Sequence, residues 1–315
     1  MSLLYEYTFT PDVFDESCYP HEEVASVCIE QLRRISLEES IVRNLRAGEW
    51  IEFFKRTNRP WHRYGKEILK KIKKQSRLRD VDPVLPEGPE SDEDWCSEAL
   101  ASHESNPLDG IIVTDNILKN FDDNPVFMPI NKVNQKKYRD IRPGSARLSR
   151  TYEEYKKQLE IIFRCSNSIM LIDPHLDPSE RRYSELINLL LLAKEKEPKP
   201  VIEVHRAIYK GSGPSREIKK VEEWEKIFKE YWYEVLKKNK LQVRVCIWKS
   251  MHDRYLISNL IGISLGNGFD TTNYDKDMTT WSRLDIKTKE NIERDFDPSN
   301  IAINQNDLAG SFTIL

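Results

Sequence analysis

The sequence predicts an α/β protein: a C-terminal sheet flanked by helices over residues 150–315, preceded by a mixed α/β N-terminal domain over residues 1–145. Three observations predict it. In the C-terminal half, short apolar runs alternate with segments whose apolar residues recur at helical spacing, the pattern of strands covered by helices. The chain has 315 residues, enough for two domains of roughly 100–200 residues each. Between the halves, Asn131–Arg150 places Pro143-Gly144 among many bases and reads as a linker.

In chain order, Leu3–Phe9 (LLYEYTF) alternates partly, is rich in aromatics and reads as a strand. From His21 to Ile35, residues Val24, Val27, Cys28, Leu32 and Ile35 recur as on an amphipathic helix. Trp50–Phe54 reads as a short strand or the end of a second helix. Tyr64–Leu78 sets Tyr64, Ile68, Leu69 and Ile72 to one side and lysines elsewhere, a helical spacing. Val81–Asp94, with prolines and a glycine among acids, reads as an exposed loop; Ile111–Val113 and Val126–Met128 read as buried strands. Thr151-x-x-Glu154 has the form of a capping box opening a helix through Phe163. Ser168–Ile172, Val201–Val204, Leu241–Trp248, Tyr255–Ser258 and Ile261–Leu265 read as strands. Tyr183–Ala193 and Ile218–Asn239 read as helices, with Trp224, Ile227, Phe228, Tyr231, Val235 and Leu236 on one face of the second. No internal repeat is apparent.

The five cysteines are widely scattered without CxxC spacing, which argues against a zinc site or a disulfide framework and for reduced thiols. With no basic leader and no apolar run near the ~20 residues that span a bilayer, the expected compartment is the cytoplasm. The net charge of −3 hides a local asymmetry: eleven Lys or Arg and one acid lie between Lys55 and Arg79, then eight acids and no base between Asp80 and Glu98.

The segment from Trp248 to Asn267 carries the chemistry. His252, Arg254, Asn259 and then Gly266-Asn267-Gly268 follow one another around two apolar strands. This order resembles the phospholipase D signature, His-x-Lys, four residues, Asp, six residues, Gly-Ser, in full register, with Arg254 for Lys, Asn259 for Asp and Asn267 for Ser. The resemblance covers roughly the last half of the chain and makes its sheet phospholipase-D-like. It implies a metal-independent phosphodiesterase or nuclease needing no cofactor, in which His252 forms a phosphohistidine and Arg254 holds phosphate oxygens. It implies that Asn259 takes the place of the carboxylate and that Gly266, Asn267 and Gly268 let donors approach the phosphate. A single motif per chain implies a homodimer with two His252 side chains in one site. The segment is also similar to the phospholipase-D-like C-terminal domain of MIT proteins, where the catalytic set is incomplete and the domain binds. Catalysis and phosphate binding without catalysis both stay open. His175 and His205, at or near strand ends, are further candidates for the same pocket.

Lys55–Arg79 interleaves bases with Phe53, Phe54, Trp61, His62 and Tyr64, a composition that suits nucleic acid: bases meet phosphates and aromatics stack. Arg63, Lys66, Lys70, Lys73, Lys74 and Arg77 are the candidate contacts. Nucleic acid is the expected partner and bacterial defence a setting by analogy. A protein partner in a larger complex would use the acidic loop or the tail Asn304–Leu315.

Overall fold

In the computed structural model, five parallel strands build the sheet of the N-terminal half: β1 (Tyr5–Phe9), β2 (Ser40–Asn44), β3 (Leu78–Asp80), β4 (Gly110–Val113) and β5 (Phe127–Pro129), in the order β3-β2-β1-β4-β5. The structure describes residues 2–121, 124–211, 213, 216–300 and 307–315. The chain divides into two units, Leu4–Pro143 and Gly144–Leu315, the latter including the first residues of the chain. Each has its own sheet.

Parallel strands need crossovers, and in the first unit helices supply them. These are α1 (Glu22–Arg34), α2 (Glu49–Arg56), α3 (Arg63–Lys74) and α4 (Asp92–Ser105), with single turns α5 (Asp115–Leu118) and α6 (Lys136–Arg139). The apolar stripe Gly65, Ile68, Leu69 and Ile72 is buried on α3, which leaves its lysines outside. Trp50–Phe54 is helical, and Phe54 meets Phe14 and Trp50 edge to face and Trp61 at a tilt. Beneath the strands, Arg43 is fully buried; its Nε and Nη2 donate to Glu6 at 3.0 and 2.9 Å and its Nη1 to the carbonyls of Ser102 and Asn106.

The second unit holds an eight-stranded mixed sheet in the order β15-β11-β8-β7-β12-β13-β14-β6. Its strands are β6 (Ser145–Ser149), β7 (Ser168–Ile172), β8 (Val201–Ala207), β11 (Val243–Trp248), β12 (Tyr255–Ser258), β13 (Gly262–Leu265), β14 (Met278–Arg283) and β15 (Leu308–Ile314), with β9 (Tyr209–Lys210) and β10 (Glu217–Ile218) forming a separate hairpin. β7, β8 and β11 run parallel, and the other pairings are antiparallel. Flanking helices are α7 (Tyr152–Cys165), α8 (Leu186–Leu190), α9 (Val221–Lys238) and α10 (Ile286–Asp295). A mixed α/β N-terminal unit and a mixed C-terminal sheet flanked by helices are therefore both present.

Several expectations change in detail. Part of the linker segment is β6, an edge strand paired with β14. Thr151 does sit at the start of α7, but its side chain makes no capping bond; the capping box is at Ser91 and Asp94, opening α4 where a loop was expected. On α9 the buried stripe is Trp224, Phe228, Trp232 and Leu236, a strict i, i+4 run, and Tyr231 faces solvent. The described part of the tail is β15, paired with β11; Asn304–Asn306 lie outside the described residues. Among the described residues no helix is long and apolar enough to cross a membrane.

Candidate phosphate site and basic face

Register places the site at one end of the C-terminal sheet. Tyr255 pairs with Ile172, so Arg254, just before β12, lies beside Asp173, just after β7. Leu265 N donates to Arg254 O at 2.9 Å, which brings Gly266 to the same end. A cavity of 390 Å³ opens there, lined by His175, Arg182, Tyr183, Gly211, Arg254, Gly266, Asn267 and Asp270.

Asp173 organises this end. Fully buried, it accepts from His175 N at 3.0 Å, Phe269 N at 3.1 Å and Tyr183 Oη at 3.3 Å. Burial pushes its pKa up, and those donors with the Arg254 guanidinium, whose Nε lies 3.8 Å away, oppose the push. Gly268 sits against it with φ +76°; a Cβ there would fall 2.1 Å from Asp173 Oδ2, so only glycine fits. Arg206 props the floor: it is buried, it donates to the carbonyls of Leu176, Ala207 and Tyr209, and its guanidinium lies 3.2 Å from the Trp224 ring centre.

The cavity's charge is mainly positive. Asp270 is taken by Arg150 at 2.6 Å, leaving Arg182 4.0 Å from it and paired with Glu180 at 2.7 Å on the exposed side. Arg254 has no carboxylate closer than Asp173 among the described residues. Half-buried His175 has its pKa lowered, first by burial and then by the guanidiniums of Arg254, Arg182 and Arg206. Both favour the neutral ring.

The expected site residues are thus distributed. Arg254, Gly266 and Asn267 come together, and Gly268 supports them from beneath. His252 lies at the same end but is exposed, and the described lining does not include it. Asn259 is at the opposite end: β12 separates it from Arg254 by roughly 16 Å of extended chain, and its Oδ1 accepts from Asn167 N at 2.8 Å to hold the start of β7. His205 is fully buried outside the cavity, its Nδ1 accepting from Trp248 Nε1 at 3.0 Å. Arg182 and Asp270 were not singled out from the sequence.

In the N-terminal unit, Arg63, Lys66, Lys70, Lys73 and Lys74 are exposed on α3. Among the described residues no carboxylate lies within ion-pairing distance of Lys66, Lys70 or Lys74, and Lys73 reaches Glu52 only at 3.9 Å. Arg77 does not join them: it is buried, donates to Ser40 O at 2.7 Å, and burial lowers its pKa to about 10. Nor do the aromatics offer a stacking platform. Trp61 and His62 are buried and Phe53 and Phe54 packed inward, leaving Tyr64 exposed. The α3 face is an exposed, positively charged surface.

A second cavity, of 440 Å³, opens at the carboxyl end of β4, beside the point where the strand order reverses between β1 and β4. Its neighbourhood is acidic, yet Arg59 holds Asp15 and Asp92, and Lys132 holds Asp115. Among the described residues no group of three or more His, Cys, Asp or Glu is placed to hold a metal. Asp12 is buried there and hydrogen-bonded by Thr114, and burial pushes its pKa up to about 6. A raised folded-state pKa contributes stability that is complete below the unfolded value and lost as pH rises through about 6. Asp12→Asn is therefore expected to stabilise the protein by up to about 3 kcal/mol at pH 7.5 and to be neutral near pH 4, read as paired denaturant curves.

No protein-family model and no curated protein matches the chain. Among solved structures, the chain is similar to TrmBL2, an archaeal chromatin protein described as showing a novel mode of DNA binding. That match has TM-score 0.31 and 9% identity, over 76% of this chain and 70% of that one. A phosphatidylserine synthase from Haemophilus influenzae Rd KW20 matches with TM-score 0.28 and 13% identity, over 86% of this chain and 84% of that one. At these scores neither likeness carries an argument about this chain.

Proposed function

We propose that this protein binds nucleic acid through its phosphates, the C-terminal cavity taking one phosphate group in a phospholipase-D-like manner and the α3 lysines following the backbone. The observation that carries this reading is one convergence: Arg254, Gly266 and Asn267, picked out by motif register, share a cavity with Arg182 and His175. Guanidinium groups bind phosphate oxygens bidentately, and a low-dielectric wall strengthens that attraction.

A second reading is a metal-independent nuclease acting in bacterial defence. In it, within a homodimer, His252 attacks phosphorus to form a phosphohistidine as the P–O bond to the leaving strand breaks, the second histidine protonates the leaving oxygen, and water then hydrolyses the phosphohistidine. The exposure of His252 at the cavity's end of the sheet, where a second chain can reach it, favours this reading; the use of Asn259 far from the cavity weighs against it.

Incubation with single- and double-stranded DNA and RNA in EDTA separates the two. Binding is expected without cleavage, unchanged by His252→Ala. Replacing Lys66, Lys70 and Lys74 by Gln is expected to lower the slope of log affinity against log salt by roughly two to three. Cleavage that disappears in His252→Ala would establish the nuclease instead. A strictly monomeric protein would remove the shared site.

A further inference from the structure

The cavity sets a histidine among guanidinium groups, an arrangement that says what kind of phosphate it takes. His175 follows β7, with Arg254 facing it from the start of β12, Arg182 from the turn before α8, and Arg206 from the end of β8. Tyr209, with Arg216 stacked 4.7 Å over its ring, lies 6.3 Å from the imidazole centre. The acids around it are engaged: Glu180 with Arg182, Asp177 with Lys210, Asp270 with Arg150, and Asp173 with three donors, one of them His175's own amide. A monoanion placed here is matched by Arg254 with help from Arg182. A dianion calls for one more cation, and His175 is the group in the lining that can become one by taking a proton.

We propose that the cavity takes a terminal phosphate, the monoester dianion at the end of a nucleic acid chain, together with one proton that settles on His175. This rests on the phosphate-binding reading above and adds the ligand's class. Without a bound anion, burial and then the guanidiniums disfavour a proton on His175. A bound dianion reverses the local potential, and the imidazolium becomes a third charge-assisted donor. An internal diester carries one negative charge and two free oxygens, so it neither draws the proton nor offers an oxygen for the third donor.

The test uses the full chain and sulfate, a dianion that does not itself titrate between pH 6 and 8. Calorimetry in buffers of different ionisation enthalpy counts the protons taken up. Wild type is expected to take up close to one proton per sulfate near pH 7, with affinity falling by up to about tenfold per pH unit above that. His175→Asn and His175→Gln are expected to bind sulfate weakly, with no uptake and a flat pH profile. Oligonucleotides carrying a 5′- or 3′-phosphate are expected to bind about tenfold or more tighter than their hydroxyl-ended forms, a preference lost in His175→Asn. Sulfate binding without proton uptake, uptake that survives in both variants, or equal affinity for phosphorylated and unphosphorylated ends overturns this inference while leaving the phosphate-binding reading standing. No binding of sulfate or of any oligonucleotide overturns both.

Discussion

Gly268→Ala is expected to destabilise the C-terminal unit by about 2–5 kcal/mol and to abolish anion binding in whatever fraction still folds. Two costs add. Alanine at φ +76° is in left-handed backbone, and its Cβ would lie 2.1 Å from a carboxylate oxygen of Asp173. Asp173 cannot step aside, because three donors from Tyr183, His175 and Phe269 fix it in a fully buried position. Either the Gly266–Phe269 turn lifts off or the carboxylate abandons its donors, and both move Asn267 away from Arg254. Urea denaturation measures the stability loss, and sulfate titration of the folded fraction measures the other. A variant of wild-type stability would show that the turn relaxes freely and that Asp173 does not anchor it.

Arg43→Met is expected to cost the N-terminal unit about 3–5 kcal/mol, the range found when one partner of a buried ion pair is removed. Methionine fills much of the volume, so the loss is electrostatic and not a cavity effect. It leaves Glu6, nearly buried, with Arg79 alone, and strips a donor from the carbonyls of Ser102 and Asn106. Pairing Arg43→Met with Glu6→Leu is expected to recover much of the loss, since an apolar pair needs no solvation. A double-mutant cycle measures the recovery. Additive losses would mean that the two side chains act independently.

Much of the C-terminal sheet was legible because its inner strands are continuous apolar runs. SIMLI, VRVCIW and YLIS are buried over most of their length, with Ser168 and Arg244 exposed, and such runs stand out in sequence. The edge strand β6 (SARLS) buries Leu148 alone, and its neighbour β14 (MTTWSR) buries only Thr279 and Trp281; with arginine and threonine between them, both resemble loops. At the site, the residues joined by motif spacing were legible down to Arg254, Gly266 and Asn267. Arg182 and Asp270 were not, because they arrive from separate loops and only the sheet's register brings them together. Asn259 shows the opposite case: the spacing put it in the motif, and a strand of four residues carries it to the far end of the sheet. The basic segment was half legible. Its lysines are outside as the spacing implies, yet Phe53, Phe54 and Trp61 point inward, a direction that composition cannot give.

The position of β15 bears on how the second unit forms. β11 pairs with β8 on one side and with β15 on the other, and β15 lies some 60 residues further along the chain. Until residues 308–314 arrive, β11, one of the most apolar strands of the sheet, presents an open row of amide and carbonyl groups. Such an edge is a template for a strand from another molecule. Synthesis therefore passes through an interval in which this unit has most of its core but an unguarded flank, and its yield depends on how quickly β15 closes that flank.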